Sequence, residues 1–258
     1  MTHGLEGDSS RPYILSAARY FSTQGWDALA WNCRSCSGEM NKQLRLYNHG
    51  EIGDIGLVID HALRTKKYEQ ILLLGYSMGG NISMKYVGVN GKHIPDQLKA
   101  VIAVSAPADM QESVRILEHP SNKIYDKKFI TSLTKKIKQK AIDHPEYVDF
   151  HDFKRVKSWE DFINIFNAPI NGYRDATDFY QQASAANFVG GTTIPTLLLN
   201  ALNDPILTPK CSPTELAKKH PLFYLENPKV GGHVGFALRG KKHRWSEVRA
   251  LEFLNQHR

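Results

Sequence analysis

Hydrophobic positions along the first hundred residues switch repeatedly between a helical period and short unbroken runs. Ile14, Leu15, Ala18 and Phe21 fall on one face of a helix that Pro12 opens and Gly25 closes. Trp26 to Trp31 reads as a strand, followed by a polar loop from Asn32 to Asn48. From Glu51 onward, Ile52, Ile55, Ile59 and Leu63 recur at helical spacing. Ile71 to Leu74 is an unbroken apolar strand, a helix resumes from Asn81 to about Asn90, and Val101 to Ser105 is a further strand. Strands that are apolar throughout, rather than alternating, are buried on both faces. The order therefore predicts an α/β fold: a mostly parallel central sheet with helices on both sides.

The rhythm then breaks. Between Asp109 and Asn187 there is no strand of the central type, only lysine-rich and aromatic-rich helical pieces such as Phe129 to Ile142 and Trp159 to Phe166. We expect residues 109–187 to form a helical cap over the sheet's carboxyl edge, inserted within a single domain spanning 1–258, rather than an elaborated surface. The sheet resumes at Pro195 to Leu202 and Leu222 to Leu225. Trp245, Val248, Leu251 and Leu254 mark a closing amphipathic helix.

Composition narrows the class. With 41% hydrophobic and 23% charged residues in 258, the chain reads as soluble and globular, and no run approaches the roughly 20 apolar residues of a membrane span. The start, MTHGLEGDSSR, lacks a basic-then-apolar signal pattern. Three cysteines are too few for a disulfide framework, and Cys33-Arg34-Ser35-Cys36 has no second pair to complete a zinc site. A reducing, cytoplasmic setting is expected. The net charge of +7 is concentrated in Lys123 to Lys157 and Arg239 to Arg244, without the regularly spaced aromatic residues of a nucleic-acid platform. A solvated basic face is the default, and contact with anionic headgroups or acidic substrates is the alternative.

The chemistry gathers around Gly75-Tyr76-Ser77-Met78-Gly79-Gly80. A strand, a tight turn and a helix give G-x-S-x-G its meaning as a nucleophile elbow, with Gly75 and Gly79 supplying room beside the serine. A phosphate loop would need a Lys-Ser/Thr that is not here. A serine hydroxyl needs a base, and the base an orienting carboxylate. Ser77, Asp204 and His233 each follow a sheet strand, so parallel strands would bring them to one edge, in the chain order Ser, Asp, His. Asp109, Asp175 and Asp178 are weaker rivals for the acid. His119, His144, His151, His220 and His243 sit in polar surroundings, whereas glycines precede His233. The oxyanion would take the backbone amides of Met78 and Leu5, leaving His3 a loop-packing residue. No metal or other cofactor is called for.

Five segments in order, HGLEG at His3 to Gly7, CRSCSGE at Cys33 to Glu39, GYSMGGN at Gly75 to Asn81, NALNDP at Asn200 to Pro205 and GGHVGF at Gly231 to Phe236, cover the chain almost end to end. Together they resemble the YheT-like branch (AB hydrolase family 4) of the α/β-hydrolase superfamily. The resemblance implies a carboxylesterase- or lipase-like enzyme with Ser77 as nucleophile, Asp204 as acid and His233 as base, acting without a cofactor. Short- to medium-chain acyl esters or monoacylglycerols are the expected substrates. A thioesterase or acyltransferase would use the same triad, and a non-catalytic scaffold is the rival of another class. The resemblance also implies a strand before the HG loop, paired beside the elbow strand. Only Met1 and Thr2 precede His3, so the elbow strand is expected to lack that neighbour, at roughly 1 kcal/mol or more per buried hydrogen bond. A longer chain is expected to be more stable.

Overall fold

The computed structural model describes residues 1–257. In chain order the main elements are α1 (Pro12–Thr23), α2 (Gly53–Thr65), β1 (Ile71–Tyr76), α3 (Met78–Asn90), β2 (Leu98–Val104), α4 (Met110–Leu117), α5 (Lys123–Asp143), α6 (Trp159–Phe162), α7 (Ala168–Asn171), α8 (Ala176–Ala183), β3 (Thr196–Leu199), α9 (Thr214–Lys219), β4 (Phe223–Glu226) and α10 (Trp245–Gln256).

The four strands are all parallel, in the order β1-β2-β3-β4. One row of the register runs from Leu73 through Val101 and Thr196 to Phe223. Successive side chains of a strand point to opposite faces, and here both faces are apolar. Leu73, Val101, Leu198 and Phe223 face the core that holds α2 and α3. Leu74, Tyr76, Ile102 and Leu199 face the core that holds α1 and α10. The expected α/β layering is therefore found, and its cause is the doubly apolar strand. Helix α3 is buried from Met78 to Val87, so the serine that precedes it is held from below on every side.

No strand lies between β2 and β3 in residues 109–187. The helical pieces there build their own cores, one around Leu133, Ile137, Trp159 and Phe162, the other around Met110, Ile163 and Phe179. A π-helical turn, Ile163–Asn167, links α6 to α7. Two of the rival carboxylates turn out to be caps: Asp109 accepts the Glu112 amide and Asp175 the Asp178 amide, each at the start of a helix. Asp178 pairs with Arg174.

The expected strand at Trp26 to Trp31 does not form as a ladder. Met1 and Thr2 lie beside it: the Met1 amine donates to the Leu29 carbonyl, the Trp31 amide donates to the Met1 carbonyl, and Thr2 bridges Trp31 on one side and Gly75 on the other. Thr2 donates its amide to the Leu74 carbonyl and accepts from the Tyr76 amide, both at 3.0 Å, and the Trp31 indole donates to the Thr2 hydroxyl. Beyond Met1 the flank of β1 at Ile71 to Leu73 faces a cleft of about 450 Å³, which Trp26 and Leu29 also line. A segment pairs only where another backbone lies alongside, and here that neighbour is the short stretch Met1-Thr2. The elbow strand is thus paired at the end next to Ser77, where the expectation was no neighbour at all.

Candidate active site

Ser77 adopts φ 53°, ψ −121°, a left-handed backbone that L residues enter only when their surroundings enforce it. Two close approaches enforce it. A Cβ on Gly75 would lie 2.3 Å from the Gly79 carbonyl oxygen, and one on Gly79 would lie 2.3 Å from that of Thr2. The Ser77 amide donates to Val104 at 2.9 Å and its carbonyl accepts from Gly80 and Asn81, so every local backbone bond ties the turn to β2 or α3. The hydroxyl is left pointing out of the carboxyl edge.

Asp204 and His233 arrive at the same edge from β3 and β4. The Asp204 carboxylate is fully buried; Oδ1 accepts the Ile206 amide at 3.0 Å and Oδ2 lies 2.9 Å from His233 Nδ1. On the other side of the ring, His233 Nε2 lies 3.1 Å from Ser77 Oγ. A carboxylate can only accept, so Nδ1 carries the proton and Nε2 is left to accept from the serine hydroxyl. The arrangement can pass a proton from Ser77 to His233 and hold the resulting imidazolium against Asp204.

Two residues outside the expected set shape the histidine loop. Asn203 Oδ1 accepts the amides of Gly231 and Gly232 at 2.9 and 2.8 Å, lacing the acid's loop to the base's loop. Ser105, itself at φ 51°, accepts the Val234 amide at 3.0 Å. Its position after β2 matches that of Ser77 after β1, which is the one sequence signal for it.

The loop from His3 to Gly7 passes directly over the elbow, since a Cβ on Gly4 would sit 3.0 Å from that of Ser77. Leu5 lines the same cavity as Ser77 and His233. Among the described residues, neither the Leu5 nor the Met78 amide meets a backbone or side-chain acceptor. His3 is buried, with Nδ1 2.8 Å from the Gly4 carbonyl and Nε2 accepting the Cys33 amide at 3.0 Å. Burial lowers its pKa, and both nitrogens meet backbone groups, one at Gly4 and one at Cys33. Glu6, at φ 55°, is the residue the sequence did not single out. Its carboxylate accepts the Tyr47 and Ser132 hydroxyls and the Lys136 ammonium, the last at 2.7 Å.

The cavity above Ser77 is walled mainly by apolar side chains of residues 109–187, among them Met110, Leu117, Phe129, Leu133, Phe162 and Phe179. No lysine or arginine lines it. His49 does, and burial pushes its pKa down to about 4, so it is neutral at pH 7. The two cysteines of the C-x-x-C are free thiols within a turn, with the Cys36 amide donating to Cys33. Burial raises both thiol pKa values, which favours the protonated thiol over the thiolate. Among the described residues no group of three or more His, Cys, Asp or Glu could hold a metal.

A strained serine between a parallel strand and a buried helix, with histidine and aspartate from later strand ends, defines a class. The chain belongs to the family described as alpha/beta hydrolase fold, whose model matches residues 1–239. Within it the chain is similar to YheT of Escherichia coli (strain K12), an esterase by name, at 28% identity over 236 residues, 91% of this chain and 68% of that protein. It is 30% identical to phospholipase ABHD3 of Mus musculus over 90% of this chain and 56% of the relative. It is 25% identical to a monoacylglycerol lipase of Saccharomyces cerevisiae (strain ATCC 204508 / S288c), over 98% and 57%. The chain thus spans little more than half the length of the last two. Among solved structures, the esterase Pf2001 of Pyrococcus furiosus superposes with a TM-score of 0.64 at 15% identity, covering 99% of this chain and 80% of that one.

Proposed function

We propose that the chain is a serine hydrolase of carboxylic esters, with Ser77 as nucleophile, His233 as base and Asp204 as the carboxylate behind it. The observation that carries the reading is the continuous chain of contacts from Asp204 through His233 to Ser77, at 2.9 and 3.1 Å. Ser77 Oγ attacks the acyl carbonyl as its proton passes to His233 Nε2. The negative charge on the carbonyl oxygen meets the amides of Met78 and Leu5, each such donor being worth about 3 kcal/mol in the transition state. His233 returns the proton to the departing alcohol. Water, activated by the same nitrogen, then releases the acid and restores the serine.

The uncharged, apolar wall points to a neutral acyl group, so short- to medium-chain acyl esters and monoacylglycerols are the substrates we assign. The names of the relatives support an ester linkage without choosing among them. The test uses p-nitrophenyl esters of increasing chain length together with a fluorophosphonate label. Wild type should hydrolyse the esters and take the label, and Ser77→Ala should do neither. Undiminished labelling of Ser77→Ala would sink the assignment. Faster release from acyl-CoA than from any simple ester would redirect it to a thioesterase.

A further inference from the structure

Helix α5 is an amphipathic rod of 21 residues, about 30 Å long. Its inner face is well accounted for. Leu133 and Ile137 are buried in the insertion's core, while Phe129 and Leu133 line the cavity above Ser77. Two of its lysines are anchored inward: Lys136 on Glu6, and Lys140 on the carbonyls of Asn41 and Gln43.

The outer face has a different composition. At about 100° per residue, Lys123, Lys127, Lys138, Thr131, Ile124, Ile142, Lys135 and Lys128 all fall within an arc of about 140°, and all are exposed. Ile124 in the first turn and Ile142 in the last stand at the same angle within the arc, 83% and 66% exposed, with lysines on both sides of that line. Among the described residues none of these five lysines is in an ion pair, the helix's one such pair being Lys136 with Glu6. The helix's two acids lie outside the arc, Asp126 accepting from the Trp159 indole and Asp143 from Gln139. Lysine-flanked isoleucines on one face are what an interfacial helix presents to a bilayer: ammonium groups reach the headgroup phosphates while the isoleucine side chains enter the acyl boundary. A nucleic acid would use the lysines but has no place for two exposed isoleucines, and the arc offers no aromatic ring for stacking.

We propose that this face of α5 docks the protein on an anionic lipid surface. No helix among the described residues is long and apolar enough to cross a membrane. The inner face of the same helix walls the proposed ester site, but the docking claim does not depend on that site being catalytic.

The experiment is co-sedimentation of the full chain with vesicles of phosphatidylcholine alone or mixed with phosphatidylglycerol, at low and high salt. Binding should require phosphatidylglycerol and weaken with salt. The partition coefficient should fall about fivefold for each lysine neutralised, so Lys127→Glu/Lys128→Glu/Lys135→Glu should abolish it. Ile124→Ser/Ile142→Ser should weaken binding without changing its salt dependence. Lys241→Glu, in the other basic cluster, should bind as wild type does. Melting temperature confirms that each variant is folded. Equal binding to both vesicle types, no binding at all, or retention by the triple variant would overturn the proposal. So would binding to duplex DNA that competes fully with vesicles and ignores the isoleucine changes.

Discussion

Asn203 spends one side-chain oxygen on two backbone donors, Gly231 and Gly232, at the point where the histidine loop turns back towards the sheet. Gly232 is at φ 59°, and Val234 and Phe236 are also left-handed, so the loop has several unfavourable backbone states to hold. Asn203→Ala leaves Asp204, His233 and Ser77 chemically intact but frees two amides and widens the positions His233 can occupy. If His233 is the base we propose, kcat should fall about 10- to 100-fold, since small misplacements of a catalytic group cost on that order. KM should change little, and Asn203→Asp should recover part of the loss by keeping an acceptor. A KM rise at constant kcat would contradict this role. At this scale the contact between Ser77, His233 and Asp204 was legible because each lies in a glycine- or proline-marked loop that follows a sheet strand. Asn203 was visible only as a neighbour of Asp204, because a side chain that accepts from a loop 28 residues away leaves no local pattern.

Among the elements, the sheet and its flanking helices were legible for the same reason that they fold: strands apolar on both faces can be satisfied only between two helical layers. Trp26 to Trp31 misled because β propensity describes a residue's fit to a sheet, and whether a second backbone lies alongside is a tertiary fact. The link between α5 and the HGLEG loop was equally invisible, since Glu6 and Lys136 are 130 residues apart. Both side chains are largely buried, at 7% and 13% exposure, so the pair is a fixed strut and not a surface contact. It holds the residue next to Leu5, and therefore the orientation of the proposed second oxyanion amide. Lys136→Met should lower kcat about tenfold per active site titrated with fluorophosphonate, while KM stays near wild type. Glu6→Gln, which keeps one of the two acceptor oxygens and loses the charge, should fall between the two. Counting per titrated site separates this from simple unfolding, which would reduce the number of sites and leave kcat per site unchanged. That second pattern is the outcome that would remove the strut from the mechanism.

For the molecule as a whole, the buried imidazoles set its response to acid. Burial pushes His49 down to about 4 from an ordinary value near 6.5, and lowers His3 in the same direction. Protonating His3 would also turn Nε2 from an acceptor for the Cys33 amide into a donor facing it. Between pH 6.5 and 4 the unfolded chain therefore binds protons that the folded chain refuses. By linkage this contribution is fully present above 6.5 and is lost as pH falls towards 4. For the partly exposed His49 the loss is on the order of 2 kcal/mol. Glu112 acts in a lower window: hydrogen bonds from Arg115 hold its pKa at about 2, so its contribution is present above 4.5 and is lost only as pH falls from there to about 2. Acid destabilisation should thus come in two stages, the first set by histidine. Urea midpoints taken at intervals from pH 7 to pH 4 should fall through the upper window in wild type. His49→Asn, which keeps an amide near the position of Nδ1 but cannot titrate, should flatten that fall and leave the lower stage unchanged. An identical slope in the two proteins between pH 6.5 and 4 would assign the acid sensitivity elsewhere.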